Sequence, residues 1–343
     1  MNNFSYTRAD DIRTAIAQGV KPDSAYVAGG TNLIDLMKYN VTEADALIDL
    51  NHLPSRDDIT ENADGGVRLS AFITNATTAY HPLIEEKYPL LSRAILAGAS
   101  GQIRNMATNG GNLLQRTRCY YFYDINTPCN KREPGSGCSA LGGYNRMMAI
   151  LGATHAPDNK ACIAVFPSDM CIALAALEAV VNIEGPNGTR SLAFEDFHRL
   201  PGDTPQLDNN LQKGEIITSL DLPAQGFAKN YSYLKIRDRN SYAFAMISVA
   251  TGLELEGDTI KSARIALGGV AHKPWRVKEG EEFLKGKTAI SENFAAAAEI
   301  IIQGAKGYKD NAFKIDMSKK AIIRNGMMAL NPSETQLPGA VPN

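Results

Sequence analysis

Ala97-Gly-Ala-Ser-Gly-Gln-Ile-Arg-Asn-Met-Ala-Thr-Asn-Gly-Gly-Asn112 is the stretch around which the chain is organised. Glycine lacks a Cβ, so such a segment lets the backbone turn sharply and approach a ligand closely. Downstream come Cys119, Cys129, Cys138 and Cys162, and the region closes on Phe166-Pro-Ser-Asp169. Upstream, Val27-Ala-Gly-Gly-Thr-Asn-Leu33 repeats the chemistry of Thr108-Asn-Gly-Gly-Asn112, a glycine pair joined to Thr and Asn. The first pair follows a strand candidate and precedes a helix candidate, where unpaired N–H groups suit a phosphate. Alone, a Gly-Gly after a strand is more often just a turn. Together the two pairs suggest two nests converging on one pyrophosphate. Neither has the spacing of the Rossmann fingerprint or the P-loop, which points away from those folds.

The bulk numbers bound the reading. A chain of 343 residues has room for two or three domains with their own cores. A net charge of −2 gives no global basic surface, against a general nucleic-acid binder. No run of about 18 apolar residues marks a transmembrane helix. The polar start, Met1-Asn-Asn-Phe-Ser-Tyr-Thr-Arg8, has no apolar core of a signal peptide. Five cysteines is an odd number for a disulfide framework and suggests metal or redox use.

Along the chain, 10–18 reads as a helix, 24–28 as a buried strand, 33–37 as helical and 46–50 as a strand, a small β-loop-α-β unit. Val67-Arg-Leu-Ser-Ala71 alternates as a strand. Helices are expected over 74–80 and 90–96, with Pro82 and Pro89 as breaks. Residues 116–161 carry prolines, glycines and three cysteines with little periodicity, and so long a structureless loop needs a functional reason. Order resumes with a buried helix from Met170 and strands at 179–183 and 215–222. A third region holds strands at 231–236, 246–255 and 262–267, then helices at 293–304 and 317–328. The tail from Asn331 reads as a loose end or docking arm.

The cysteines follow a Cys-x9-Cys-x8-Cys-x23-Cys pattern. Without a Cys-x2-Cys knuckle, a zinc ribbon is not expected. Four thiolates suffice for a cubane cluster wrapped by a loop; incidental buried cysteines are the plain alternative. Cys171, on an apolar helix, reads as core. His155 and Arg104 read as surface groups, Trp275 as a packing residue, and Tyr120 to Tyr123 as hydrophobic cover.

The ordered series Ala28-Gly-Gly-Thr-Asn-Leu33, Ile103-Arg-Asn-Met-Ala-Thr-Asn-Gly-Gly-Asn112, Pro167-Ser-Asp169, Glu215-Ile-Ile217 and Ala263-Arg-Ile-Ala-Leu-Gly-Gly-Val270 resembles the FAD-binding medium subunit of the xanthine dehydrogenase and molybdenum hydroxylase family. The resemblance covers nearly the whole chain. Arg118-Cys-Tyr-Tyr-Phe-Tyr-Asp124, Pro128-Cys-Asn-Lys-Arg132 and Pro134-Gly-Ser-Gly-Cys138 narrow it to the flavoprotein subunit of three-subunit periplasmic aldehyde oxidoreductases, which carries FAD and a [4Fe–4S] cluster.

The resemblance implies an α+β fold. A two-part FAD domain (PCMH-like) would divide into 1–55 and 56–224, with a cysteine-bearing insertion at 116–165. A smaller C-terminal α+β domain would cover 225–330, ahead of a tail at 331–343. The FAD pyrophosphate would be held by Val27, Ala28, Gly29, Gly30, Thr31, Asn32 and Leu33 together with Thr108, Gly111 and Asn112. Asp169 would bond the ribose or adenine end, Ile217 would pack on the flavin, and Lys235 would lie by the isoalloxazine. Cys119, Cys129, Cys138 and Cys162 would bind the cluster. No catalytic residue is expected on this chain. It would pass electrons from partner iron–sulfur centres through FAD to an external acceptor. Its partners would be a large molybdenum-cofactor subunit and a small [2Fe–2S] subunit. Export would be to the periplasm, as a folded complex on a partner's twin-arginine signal. A cluster-bearing scaffold and a free-standing flavin oxidase are the rival readings.

Overall fold

The computed structural model describes residues 1–53, 58–154 and 160–332. Among the described residues, twelve strands form three sheets. Strands β1 (Ser5–Arg8), β2 (Ser24–Val27) and β3 (Ala46–Asp49) make a small parallel sheet in the order β1-β3-β2. Strands β4 (Ile59–Glu61), β5 (Val67–Ser70), β6 (Val180–Gly185), β7 (Gly188–Ala193) and β8 (Ile216–Leu222) make an antiparallel sheet in the order β4-β5-β8-β6-β7. Strands β9 (Asn230–Ile236), β10 (Ile247–Glu256), β11 (Thr259–Gly268) and β12 (Trp275–Arg276) make the third, also antiparallel. Mixed helix and sheet content is as expected from the sequence pattern.

The differences from that pattern have local causes. Strand β1 is exposed at every position, so it carries no apolar alternation by which to be read. It exists through pairing, Ser5 to Ala46 and Arg8 to Asp49. Pro82 and Pro89 mark breaks between helices as expected, and each also opens one, at Pro82–Lys87, which the pattern did not give, and at Pro89–Ala97. Proline suits a first helical position because the missing N–H would be unpaired there anyway. Residues 116–165 are largely irregular, as expected, apart from a short helix at Tyr120–Tyr123 and isolated bridges between Cys129 and Cys138 and between Thr154 and Cys162. His155 and the tail from 333 lie outside the described residues.

The helix Asp169–Ala176 is buried at all eight positions. A helix apolar all round must be enclosed on all sides, and this one packs between the helix Pro89–Ala97 and strands β10 and β11. One hydrophobic core therefore runs from Val67 and Leu69 through this helix to Ala250 and Ala266. A second core lies between the third sheet and the helices Lys278–Leu284, Ser291–Ile301 and Phe313–Met328. Gly326 permits that packing, since a Cβ there would lie 2.6 Å from the Phe294 ring.

Lys314, fully buried on the last helix, donates to the carbonyls of Met148 (2.8 Å) and Gly269. It thereby ties the C-terminal helix to the end of the cysteine loop. Burial pushes its pKa down to about 7. Between that value and the ordinary lysine value near 10.4 the unfolded chain binds more protons than the folded one, so stability from this site rises with pH. Wild type should gain on the order of 2 kcal/mol relative to Lys314→Met between pH 7 and pH 9. Paired denaturant titrations at the two pH values measure this, and equal pH slopes for the two proteins would refute it.

Candidate functional site

A cleft of about 1160 Å³ opens among the three sheets. All thirteen residues proposed from sequence for the flavin line it: Val27 to Leu33, Thr108, Gly111, Asn112, Asp169, Ile217 and Lys235. The loop after β2 supplies one wall. Gly30 sits at φ +68°, a conformation that favours glycine. The backbone N–H groups of Gly29 to Leu33 find no partner among the described residues. That is the donor set an anionic pyrophosphate requires.

The second glycine pair works differently from expectation. The N–H groups of Asn109, Gly110, Gly111 and Asn112 are spent on Ile73 O (3.0 Å), Ala71 O (2.7 Å), Thr108 Oγ1 (3.2 Å) and Thr108 O (2.8 Å). The Asn112 side chain donates to Asn75 Oδ1 (2.7 Å) and accepts from Ser168 Oγ (2.5 Å) and Gln115 Nε2 (2.9 Å). This segment is therefore a brace that shapes the cleft, and it offers no free backbone nest. The open donors lie just before it. Ala99 holds a left-handed φ of +51°, and the N–H groups of Ala99, Ser100 and Gly101 are without partners among the described residues. The small-residue run Gly98-Ala-Ser-Gly101 carried that signal. Arg104 is not a free surface charge: it lines the cleft and donates to Gly98 O at 2.6 Å.

Asp169 and Lys235 meet. Lys235 Nζ lies 2.7 Å from Asp169 Oδ2 and Tyr233 OH 2.7 Å from Oδ1. Lys235 also donates to Ala97 O (3.0 Å). Two residues in contact cannot serve opposite ends of one dinucleotide, so the separate assignments to the ribose or adenine end and to the isoalloxazine do not both hold. Burial and the neighbouring Asp169 raise the Tyr233 hydroxyl well above its ordinary pKa, which keeps it a donor.

The four loop cysteines line one small pocket beside the cleft, and Cys119 lines both spaces. Among the described residues, no group of three or more His, Cys, Asp or Glu side chains is arranged to hold a metal ion. The expected cluster site therefore stands as a convergence of thiols. Burial pushes Cys119 and Cys162 up to about 12 and raises Cys138. Backbone N–H groups of Phe122 and Tyr121 act the other way on Cys119, those of Ala140, Ile163 and Leu141 on Cys138, and that of Ala164 on Cys162. Thiols aimed inward and met by N–H donors are chemically suited to thiolate ligation. Cys171 is fully buried in the main core and is not part of this pocket, as its helix predicts.

Sequence reasoning missed the groups that hold the loop. Lys131, almost wholly buried, donates to Pro205 O and Asp208 Oδ1 (both 2.6 Å), and Arg116 Nε bonds Asp208 Oδ2 (2.6 Å). Burial opposes ionisation of Asp208, yet Lys131 and Arg116 hold its carboxyl below the usual range. His272 Nε2 lies 3.2 Å from Cys162 Sγ, and burial pushes this histidine well below its ordinary pKa, leaving it neutral. Trp275 is a packing residue, its Nε1 bonded to Ile301 O at 3.0 Å.

The family model for the FAD binding domain in molybdopterin dehydrogenase matches residues 2–225. The chain belongs to this family. It is a flavoprotein of the oxidoreductases, and FAD is its cofactor. The model for the CO dehydrogenase flavoprotein C-terminal domain matches residues 232–310. The chain is 44% identical over 324 residues to the aldehyde oxidoreductase FAD-binding subunit PaoB of Escherichia coli K12, covering 94% of this chain and 96% of that one. It is 28% identical to the glyceraldehyde dehydrogenase medium chain of Sulfolobus acidocaldarius, covering 83% and 82%. Its fold matches carbon monoxide dehydrogenase from Hydrogenophaga pseudoflava (TM-score 0.74, 23% identity, 96% and 97% covered). It likewise matches quinoline 2-oxidoreductase from Pseudomonas putida 86 (TM-score 0.73, 22% identity, 97% and 98% covered).

Gly29 is where the two cleft loops touch, and a Cβ there would lie 2.0 Å from Met106 O. Gly29→Ala should force the loops apart, lose most of the bound FAD and cost about 1–3 kcal/mol from overpacking. Gly142→Ala, outside the cleft and with nothing within 4 Å of its added Cβ, should keep its flavin. The flavin-to-protein absorbance ratio of the purified variants decides. Full flavin in Gly29→Ala would show that loop contact does not form the site.

Proposed function

We propose that this flavoprotein is the electron-transfer subunit of a molybdenum-containing aldehyde oxidoreductase. The observation that carries the reading is the match of most of the chain to the aldehyde oxidoreductase and glyceraldehyde dehydrogenase subunits, joined to a cleft sized for a dinucleotide. Bound FAD supplies the redox chemistry, accepting electrons from partner iron–sulfur centres and passing them to an external acceptor. The chain's own residues bind and shield it. The free N–H groups of Gly29 to Leu33 face the pyrophosphate, Thr108 and Gly111 shape the wall behind it, and Ile217 gives an apolar contact surface. Asp169 and Lys235 act as one fixed polar pair at the cleft rather than as two separate contacts.

The four cysteines at 119, 129, 138 and 162 hold a [4Fe–4S] cluster on this reading. Their shared pocket and the N–H groups aimed at their sulfurs support it. A cluster spreads its ligands further apart than a single ion does, which fits thiols that converge without single-ion geometry. A large molybdenum-cofactor subunit and a small [2Fe–2S] subunit complete a heterotrimer. The assembly works in the periplasm after export on a partner's signal.

Anaerobic purification with and without co-expressed partners tests the whole reading. Non-covalent FAD and iron are expected in both preparations, and flavin reduction by an aldehyde only in the complex. Aldehyde-driven reduction in the isolated chain would make it a free-standing oxidase; a chain without a reducible flavin would make it a scaffold. Serine at Cys119, Cys129, Cys138 or Cys162 should remove the iron, and Cys171→Ser should not. Zinc in place of iron would refute the cluster. For location, the complex should appear in the periplasmic fraction only when the small subunit is present; cytoplasmic residence in both cases would sink the export route.

A further inference from the structure

We propose that His272 is a positioning residue for the cysteine pocket: its Nε2–H donates to the Cys162 thiolate and so tunes the reduction potential of the group held there. This rests on the iron–sulfur reading above. Among the described residues, His272 is the one side chain hydrogen-bonded to a sulfur of the four pocket cysteines, at 3.2 Å. The other donors at Cys119, Cys138 and Cys162 are backbone N–H groups. Lys131, the nearby cation, is already committed to Pro205 O and Asp208.

The second ring nitrogen fixes the direction of the bond. His272 is buried, and its Nδ1 has no hydrogen-bond partner. A neutral ring carries a single N–H. Were Cys162 a thiol donating to Nε2, the ring proton would sit on Nδ1 as a buried donor without an acceptor. Such orphaned N–H groups are rare in folded proteins, while under-satisfied acceptors are less so. With Cys162 as a thiolate, Nε2 must donate, and Nδ1 keeps only a lone pair. The orphaned Nδ1 therefore places the ring proton on Nε2, with His272 as the donor to the Cys162 sulfur.

The ring is placed by backbone that does not belong to the cysteine loop. His272 follows β11, in the third sheet's connection to β12. The preceding carbonyls are pinned: Val270 O accepts from Ile150 N (2.9 Å) and Leu151 N (3.0 Å), and Ala271 O from Phe166 N (3.0 Å). Ile150 and Leu151 lie before Cys162 in the loop and Phe166 after it, so both flanks of this cysteine are stitched to the connection that carries the histidine. The C-terminal part of the chain thus supplies an outer partner to a ligand on the insertion. Hydrogen bonds to cluster sulfurs are among the factors that set a cluster's potential. A donor withdraws charge from the thiolate and favours the reduced, more negative state.

The test is an anaerobic redox titration followed by electron paramagnetic resonance, on the complex carrying wild type, His272→Phe or His272→Gln. Phenylalanine keeps the ring volume without a donor; glutamine places an amide N–H near the Nε2 position. Full iron is expected in all three, with the potential shifted negative in His272→Phe and restored toward wild type in His272→Gln. An unmoved potential in an iron-replete His272→Phe would overturn the inference. Should His272→Phe lose its iron, His272→Asn, whose amide is too short to reach, replaces it: a negative shift in Asn but not in Gln supports the proposal, and equal potentials overturn it. Iron absent from wild type would instead defeat the iron–sulfur reading, a result read before any His272 variant is compared.

Discussion

The buried contact between Asp169 and Lys235 is the constraint on which the cleft depends. Both side chains are more than nine-tenths enclosed, and each charge is compensated by the other. Taking two ions out of water costs several kcal/mol apiece, which is recovered only with good geometry and further hydrogen bonds. Here Tyr233 completes the carboxylate and Ala97 O completes the ammonium. Asp169 begins the buried helix, Lys235 and Tyr233 stand on β9, and Ala97 ends the helix that leads into the glycine-rich stretch. One polar knot thus ties together the core helix, the third sheet and the cleft loop. Removing either ion would strand the other, at a cost of about 3–5 kcal/mol.

Around that knot the cleft is built from braces and free donors, and the division between them is physical. A backbone N–H can serve a ligand only if the fold has not already used it. The loop after β2 turns away from its sheet, so its N–H groups stay open. The Thr108 to Asn112 segment packs under Ala71 and Ile73, so its N–H groups are consumed by the fold. Two segments of near-identical composition therefore have different work.

The cysteine loop shows a similar economy. It has little regular structure, yet it is pinned by polar contacts within itself and to two other parts of the chain. Lys131 and Arg116 reach Asp208. The Asn130 side chain caps Gly135 and Gly137 and bonds Ala161 O. Asn311, in the turn before the last helix, and Lys314, on that helix, reach back to Met148. Contacts of this sort satisfy buried backbone groups where no ladder can, and they bring four cysteines distant in sequence into one pocket.

The amino-acid sequence by itself determined the α+β pattern, the glycine pair after β2, the buried apolar helix from Met170 and the cysteines of the loop, because each leaves a local or periodic mark. Strand β1 left none, since exposed pairing needs no apolar residue. The order of the motifs carried the family, as matched models later showed over residues 2–225. Tertiary structure alone decided that Asp169 and Lys235 are partners, that Asn112 is braced by Asn75 and Ser168, that Ala99 is held at positive φ, and that His272 faces Cys162 across 110 positions of chain. Hydrogen-bond commitment and ion pairing between distant segments depend on where the chain returns to itself, and no window of sequence contains that information.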